Sequence, residues 1–319
     1  MPLVTLEQVR AARAQIAGRA YRTPMVHSKN LSAMVGLDVY LKLEPMQKTG
    51  SFKVRGAINK IAALTADERA RGVIALSAGN HAQGVAWAAS NAGVKSVFVM
   101  PANAVRSKVE ATKGYGGEVV QTAGDLMAVV REIQKERGLT LVHPFDDSLV
   151  IAGAGTVADE ILDDMPDADA ICFGIGGGGI AAGTAVTARA RRPGIRLIGV
   201  EPDGATGMRQ SLEAGRPVYL DPPPRTAVVD ALGAPFAGTL NYEHVRDLGV
   251  EVCVLLDAQI VEAMWLLIER AKILAEPAAA AGFAALLHGA ARPALAPGAK
   301  VVCIVTGGNV DRERLKLLA

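Results

Sequence analysis

The stretch AICFGIGGGGIAAG, residues 170–183, decides the fold because it predicts a strand, a tight loop and the start of a helix. It begins with an apolar run, continues through four consecutive glycines, and ends rich in alanine. Glycine N–H groups at the start of a helix converge on an anion because no side chain blocks them. The stretch therefore predicts a phosphate site built from Gly176, Gly177, Gly178 and Gly179.

The same loop satisfies the G-x-G-x-x-G spacing of dinucleotide-binding proteins through Gly174, Gly176 and Gly179. A nicotinamide-dependent oxidoreductase is therefore an alternative. The acidic residue expected about twenty residues further on is not matched in the usual way, because Pro202 follows Glu201 at the end of the next strand. A loop that only packs a helix against a strand is the structural alternative, but it needs fewer glycines.

Strand-like runs alternate with alanine-rich helical patterns along nearly the whole chain, which indicates an α/β fold with parallel sheets flanked by helices. The predicted strands are 38–43, 72–77, 96–100, 117–122, 140–143, 170–175, 196–201, 251–256 and 300–305. A compact group of these repeats predicts a small inserted domain over 69–146. Residues 1–68 and 147–319 are then expected to form the large, cofactor-binding domain.

Composition favours a small-molecule ligand. Half of the 319 residues are hydrophobic, the formal net charge is only +2, and basic residues form no tract, so neither nucleic acid nor a membrane is an expected partner. Cys172, Cys253 and Cys303 lie in apolar runs without metal-ligand spacing. We expect core thiols in a reducing compartment, and the absence of a secretory signal pattern agrees with a cytoplasmic location. Thr5 and Gln8 predict a capping box at the first helix.

Two further segments place polar groups at the ends of predicted strands. In LSAGNHAQG (76–84), Ser77, Asn80 and His81 lie beside the first N–H groups of a helix, which predicts a site for a carboxylate or a ring oxygen. In VTGGNVD (305–311), Thr306 follows a buried strand. A capping segment and a plain turn are the respective alternatives. Ligands of open α/β sheets bind beyond the carboxyl ends of the strands, so these segments and the glycine loop point to one site.

TGSFKVRGA (49–57) contains the candidate reactive lysine, Lys53. With Ser51 as the helix cap, the Lys53 ammonium lies in the first turn, where the helix dipole and burial both lower its pKa. An amine that is partly neutral near pH 7 suits carbonyl chemistry and proton abstraction. A solvated lysine is the alternative from local sequence alone.

Together these segments resemble the fold type II pyridoxal-phosphate (PLP) enzymes, a two-domain, tryptophan synthase β-like fold, in the serine/threonine dehydratase (threonine ammonia-lyase) and serine racemase branch. The likeness covers almost the whole chain, in the family's order. It is strongest in YLKLEPMQKTGSFKVRGA (40–57), SAGNHAQGVA (77–86), GIGGGGIAAG (174–183) and IVTGGNVD (304–311).

The resemblance implies that Lys53 is the catalytic residue, both as the Schiff-base lysine and as the later proton abstractor. It implies contacts to PLP from Lys53, Phe52, Asn80, Thr306, Gly176, Gly177, Gly178 and Gly179. Phe52 packs beside the ring, Asn80 bonds its 3′-oxygen, and Thr306 faces its pyridine nitrogen. The loop implied to bind the substrate carboxylate consists of Ser77, Ala78, Gly79, Asn80 and His81.

The implied reaction is dehydration of a β-hydroxy L-amino acid, such as threonine or serine, to a 2-oxo acid and ammonia. Ala78 stands where similar serine racemases carry a serine acid/base, so dehydration is favoured and a serine-racemase-like amino-acid racemase is an alternative. Small apolar residues replace the family's usual ones at Ala154, Ala231 and Ala278. We expect them near the substrate, where they would suit a bulkier β-hydroxy amino acid such as phenylserine or 3-hydroxyaspartate.

The resemblance also bears on a metal and on assembly. Glu201 and Ala205 match a divalent-cation (Mg²⁺ or Ca²⁺) site of the branch, but Gly207 replaces its Asp, with Asp203 as the substitute to test. No metal ligand is therefore assigned. The implied partners are a small-molecule amino-acid substrate and a second copy of the chain, in a homodimer.

Overall fold

The computed structural model describes residues 2–226, 228–290, 295–310 and 315–316, and it confirms the α/β class with parallel sheets. Its strands are β1 (Met25–His27), β2 (Asp38–Leu43), β3 (Val73–Leu76), β4 (Ser96–Pro101), β5 (Glu118–Thr122), β6 (Thr140–Leu141), β7 (Ala170–Gly174), β8 (Arg196–Pro202), β9 (Glu251–Leu255) and β10 (Lys300–Val305). Every predicted strand is present. The sequence prediction missed β1, a three-residue edge strand.

The strands form two sheets. The larger has the order β1-β2-β10-β7-β8-β9, in which only β1 runs antiparallel to its neighbour, and the smaller has the order β5-β4-β3-β6, all parallel. The strands of the smaller sheet come from one continuous part of the chain, inside the predicted inserted segment 69–146. The two domain boundaries themselves stay a prediction.

Helices cover both faces of the larger sheet, as a mostly parallel sheet requires. The helices with described bounds are α1 (Leu6–Ile16), α2 (Lys29–Val35), α3 (Lys53–Ala62), α4 (Ala66–Arg71), α5 (Asn80–Asn91), α6 (Arg106–Gly114), α7 (Leu126–Arg137), α8 (Ser148–Asp164), α9 (Gly179–Arg191), α10 (Gly207–Ala214), α11 (Thr239–Asp247), α12 (Asp257–Ala271) and α13 (Pro277–Leu287). None of them is long and apolar enough to cross a membrane. The capping box of Thr5 and Gln8 is confirmed at α1.

Two of the hydrophobic core clusters lie on the two faces of the larger sheet, and neighbouring residues of β7 face opposite sides. Cys172 packs in a cluster with α12 and α13, whereas Ile171 and Phe173 pack in a second cluster with α8 and α9. Cys172 and Cys303 are buried thiols as expected, but Cys253 is only partly buried because β9 is an edge strand. The packed faces leave the carboxyl ends of β7 and β10 available for a site.

A buried network of charges fixes α3, the helix that carries Lys53. The Arg55 guanidinium donates to Glu44 at 2.8 Å and to Glu160 at 2.7 Å, and Lys42 donates to Glu160 at 2.7 Å. Arg55, Lys42 and Glu44 are completely buried. Because two cations face two carboxylates, the charges balance, and β2, α3 and α8 are held in one arrangement.

The start of α3 differs from the sequence prediction in one respect. Phe52, not Ser51, precedes the helix, and no side chain caps it. Ser51 instead forms an isolated antiparallel bridge with Gly307, and its hydroxyl is buried without a partner among the described residues. The prediction of a Ser51 cap is therefore wrong, although Lys53 does lie in the first turn.

Candidate active site

A cavity of about 430 Å³ gathers the residues predicted from the separate motifs. Its lining includes all of the sequence-predicted site residues: Phe52, Lys53, Ser77, Ala78, Gly79, Asn80, His81, Gly176, Gly177, Gly178, Gly179 and Thr306. They come from the start of α3 and from the segments that follow β3, β7 and β10. The carboxyl ends of strands from both sheets thus meet at one cavity, as the topology of such sheets favours.

Lys53 is partly buried at the first position of α3. Its Nζ atom donates a 2.8 Å hydrogen bond to the carbonyl oxygen of Pro144. Burial lowers the pKa of Lys53 to about 8, and the Glu276 carboxylate opposes this change. Roughly a tenth of the amine is then neutral at pH 7, which a lysine of ordinary pKa does not achieve.

A backbone hydrogen bond between Phe52 and Thr306 connects two segments of the site. The Phe52 N–H donates to the carbonyl oxygen of Thr306 at 3.0 Å, which ties the start of α3 to the end of β10. The Thr306 residue is buried and lines the cavity. The Lys53 Nζ atom lies 5.2 Å from the centre of the Phe52 ring, so a planar ligand that reaches Lys53 lies beside an aromatic face.

Residues 77–79 join β3 to α5, and Asn80 and His81 are the first two residues of α5. No side chain of the described residues caps this helix at Gly79, and the Gly79 N–H donates to the Ser77 hydroxyl at 3.2 Å. The first-turn N–H groups of α5 are therefore placed to bind an anionic group such as a carboxylate.

His81 is buried and electrically neutral. Its Nε2 atom bonds the Val142 carbonyl oxygen at 2.8 Å, which makes Nε2 the protonated nitrogen, and Nδ1 has no partner among the described residues. Burial and the charge of Lys53 lower the pKa of His81 to about 3. The ring is consequently a hydrogen-bond acceptor and a weak base at neutral pH.

The glycine loop, residues 176–179, joins β7 to α9. Gly178 precedes α9 with φ +97°, a left-handed conformation that favours glycine, and no side chain caps the helix. A Cβ atom at Gly177 would lie 2.3 Å from the Phe145 ring. The Gly177 carbonyl oxygen accepts a 2.8 Å bond from the Asn241 side chain, which fixes the loop. This arrangement at a helix start fits a phosphate group.

Several residues that line the cavity were not assigned from sequence. They are Leu76, Asn103, Ala104, Val105, Lys108, Pro144, Phe145, Gly174, Ile180, Asp230, Leu232, Gly233, Ala234 and Glu276. Pro144 and Phe145 follow β6, so the rule that sites lie beyond strand ends would have found them. Lys108 and Asp230 form a 3.0 Å ion pair between α6 and the short 3₁₀ turn Asp230–Leu232. No local pattern in the sequence predicts that pair.

The three small residues expected near the substrate do not all lie there. Ala231 and Ala278 line the cavity, as expected. Ala154 does not line it, because it lies on α8 and packs in the core cluster that contains Ile171 and Ala185. The expectation for Ala154 was therefore wrong, and it has no direct part in the shape of the cavity.

The candidate cation site does not fit a metal. The two carboxylate oxygens of Glu201 accept the N–H groups of Met208 at 2.7 Å and Arg209 at 2.8 Å, so Glu201 caps α10. Gly207 offers no side-chain ligand, and Asp203 is exposed. Within the described ranges, no group of three acidic, histidine or cysteine side chains is arranged to hold a metal.

Comparison with known proteins identifies relatives of the same architecture. The model of the family described as pyridoxal-phosphate dependent enzyme matches residues 16–307. An L-threonine ammonia-lyase of Thermotoga maritima is 38% identical over 97% of this chain and 76% of its own length. A serine racemase of Oryza sativa is 40% identical over 96% of this chain and 91% of its own. The solved structure of maize serine racemase superposes with a TM-score of 0.94 at 39% identity, covering 99% of this chain and 97% of that one.

Proposed function

We propose that this chain, which belongs to the pyridoxal-phosphate dependent enzyme family, is an ammonia-lyase that converts a β-hydroxy L-amino acid such as L-threonine or L-serine to a 2-oxo acid and ammonia. It is a PLP-dependent lyase of the threonine ammonia-lyase and serine racemase branch. The substrate proposal rests on one observation. Lys53, the glycine loop and residues 77–81 line a single cavity, and position 78 in it is alanine.

The residues of the cavity fit PLP by their chemistry. Residues 176–179 suit its phosphate, the amine of Lys53 suits its aldehyde, and Thr306 and Phe52 offer a hydroxyl and an aromatic face for its ring. PLP supplies a carbonyl group that condenses with amines and a ring that accepts electrons when a proton leaves the α-carbon. Membership of this family also favours PLP over a nicotinamide as the ligand of the glycine loop.

Lys53 is proposed to move the α-proton. Its pKa of about 8 makes it a base near neutral pH, and the Pro144 carbonyl oxygen accepts a hydrogen bond whether Nζ is charged or neutral. The proton from the α-carbon is then held at Nζ of Lys53.

Residues 77–81 are proposed to orient the substrate through its carboxylate. The uncapped first turn of α5 supplies N–H donors, and the neutral ring of His81 adds no positive charge. With the amine and the carboxylate both held, the direction of the α-proton is fixed relative to Lys53. The α-proton and the β-hydroxyl together make up the water that is lost.

The choice between lyase and racemase depends on a second proton-transfer group. Ala78 lines the cavity with a methyl group at the position where the resemblance places the second acid/base of serine racemases. His81 is a weak substitute, because its pKa of about 3 leaves it with little affinity for a proton. These two observations favour the lyase.

The substrate side of the cavity supports a second candidate. Ala231 and Ala278 have small side chains and line the cavity, together with Ala104 and Ala234. The space that they leave suits a β-hydroxy amino acid bulkier than threonine, such as phenylserine, or the dicarboxylate 3-hydroxyaspartate.

A substrate panel tests these proposals. Purified protein with PLP is incubated with L-threonine, L-serine, L-threo-3-phenylserine or 3-hydroxyaspartate, and the 2-oxo acid and D-amino acid products are measured. Formation of 2-oxo acid without D-serine supports the lyase, and the best substrate decides between the two candidates. Formation of D-serine from L-serine as the main product would reject the lyase in favour of the racemase.

We further propose that the protein acts in the cytoplasm as a homodimer. The family resemblance supports the assembly, and the free cysteines suit a reducing compartment. Light scattering after size-exclusion chromatography tests the assembly, and a mass equal to that of one chain would reject the dimer.

A further inference from the structure

Three polar side chains from distant parts of the sequence form a hydrogen-bond network near Lys53. The Asn80 Nδ2 atom donates to Glu276 Oε1 at 2.6 Å, and the Asn309 Nδ2 atom donates to Asn80 Oδ1 at 2.8 Å. Asn309 also donates to the Thr49 carbonyl oxygen at 2.7 Å. This network therefore connects the start of α5, the start of α13 and the segment after β10.

The carboxylate of Glu276 is buried and closely packed against Gly307. Glu276 is only 7% exposed, and its N–H donates to the Gly307 carbonyl oxygen at 3.1 Å. A Cβ atom at Gly307 would lie 2.6 Å from Glu276 Oε1, so glycine at that position leaves room for the carboxylate. Glu276 and Lys53 both line the cavity.

The hydrogen bonds of this network fix the orientation of the Asn80 side-chain amide. Because its Oδ1 accepts from Asn309 and its Nδ2 donates to a carboxylate, a flipped amide would place oxygen against oxygen. The carboxylate bond is short and charge-assisted, which makes it the stronger of the two constraints. The second N–H of Nδ2 has no acceptor among the described residues and is free to donate to a ligand.

Among the described residues, Glu276 is the carboxylate whose charge acts on Lys53. His81 and His143 are both neutral near pH 7 because burial lowers the pKa of each. Lys108 and Asp230 line the same cavity but offset each other in their ion pair. Pro144 contributes only a carbonyl dipole. Glu276 raises the pKa of Lys53 against the opposite effect of burial.

We propose that Glu276 is a positioning residue whose carboxylate orients the Asn80 amide toward the cofactor ring and places a negative charge in the same cavity as the Lys53 amine. This role rests on the proposed function, because it assigns Glu276 to the proton transfer that Lys53 carries out. Without Glu276, burial alone would set the basicity of the amine.

The electrostatic part is tested on the full chain before PLP is added. Reactivity of the Lys53 amine with acetic anhydride is followed against pH by mass spectrometry of the Lys53 peptide. Glu276→Gln removes the charge but keeps an acceptor for Asn80, so the midpoint of the Lys53 titration is expected to fall by about one pH unit, a tenfold change in proton affinity. The double variant Lys108→Met, Asp230→Asn removes another cavity carboxylate without leaving its cation unpaired, so it is the control and is expected to leave that midpoint in place.

The orienting part is tested by PLP affinity, measured by absorbance titration. Glu276→Ala removes the acceptor of Asn80 and is expected to weaken PLP binding by about tenfold relative to Glu276→Gln, which corresponds to about 1.4 kcal/mol. Glu276→Asp keeps the charge and is expected to keep the Lys53 midpoint near that of the wild type. Circular dichroism confirms that each variant is folded.

An unchanged or raised Lys53 midpoint in Glu276→Gln would overturn the electrostatic role, and equal PLP affinities of the Ala and Gln variants would overturn the orienting role. Both measurements are independent of turnover. A protein with no lyase activity but with a shifted midpoint would reject the proposed function and keep the electrostatic effect of Glu276.

Discussion

The Nζ atom of Lys53 donates to the backbone carbonyl oxygen of Pro144 at 2.8 Å, across 91 positions of sequence. This bond joins the first turn of α3 to the segment that follows β6 in the smaller sheet. A carbonyl oxygen is neutral, so it stabilises the charged form of its donor less than a carboxylate would. Lys53 is thus held in place without the full stabilisation of its ammonium form, in agreement with its pKa of about 8.

The conformation of the glycine loop predicts the effect of a single added methyl group. Gly178→Ala places a Cβ atom on a residue with φ +97°, 2.8 Å from the Asn241 Cβ atom. The left-handed conformation alone costs about 1–2 kcal/mol, so we expect a lower melting temperature and weaker PLP binding. Gly194→Ala is the matched control, since no atom of the described residues lies within 4 Å of its added Cβ. Equal PLP affinities of the two variants would contradict the proposed phosphate site.

The alanine at position 78 predicts a change of reaction. Ala78→Ser places a hydroxyl in the cavity, and we expect it to produce D-serine from L-serine at a rate above that of the wild type. Ala104→Ser adds the same hydroxyl to another lining residue and is not expected to do so. Chiral chromatography of the products measures the difference, and D-serine formation at the same rate by both variants would refute the role given to position 78.

Removing a charge from the buried network around Arg55 is expected to cause a large loss of stability. Arg55→Met leaves Glu44 and Glu160 short of a cation, and breaking a buried pair in this way costs about 3–5 kcal/mol. The exposed pair of Lys113 with Glu110 is the comparison, because Lys113→Met is expected to cost about 1 kcal/mol or less. Urea denaturation measures both, and similar losses would show that the Arg55 network contributes no more than a surface pair.

The capping role of Glu201 predicts that the protein does not depend on a divalent cation. A chelator is expected to leave the melting temperature unchanged, because Gly207 provides no ligand and Glu201 caps α10. Gly207→Asp has room for its side chain, with no atom closer than 3.4 Å to the added Cβ, and is expected to gain stability from Mg²⁺ or Ca²⁺. A cation-dependent melting temperature in the wild type would contradict this account.

Most of the fold could be predicted from sequence because buried parallel strands are long apolar runs. The strand β1 was missed because two of its three residues are exposed, so it shows no buried apolar run. The Ser51 cap was wrong because a serine before a helix is a common cap, whereas here Ser51 is paired with Gly307, far away in the chain.

The grouping of residues around the candidate site could be predicted where they lie in motifs at the ends of strands. All of the glycines in the loop, Lys53 and residues 77–81 line the cavity. Ala154 was misplaced because its distance from the cavity depends on which face of α8 it occupies, and motif resemblance does not give that face. The contacts of Glu276 with Asn80, and of Lys108 with Asp230, arise from tertiary packing alone. Asp311, the last residue of the C-terminal motif, lies outside the described residues.

The central claim is that this protein is a lyase whose reactive amine is Lys53, and the rate of 2-oxo acid formation from β-hydroxy L-amino acids tests it most directly. We predict formation by the wild type and a decrease of about 10²–10⁴-fold or more in Lys53→Ala, the range for loss of a positioned acid–base group. Lys60→Ala, on the same helix but in an ion pair with Asp147, is expected to retain most of the activity. A wild type that forms no 2-oxo acid from any of the four substrates, or a Lys53→Ala variant as fast as the wild type, would contradict the account.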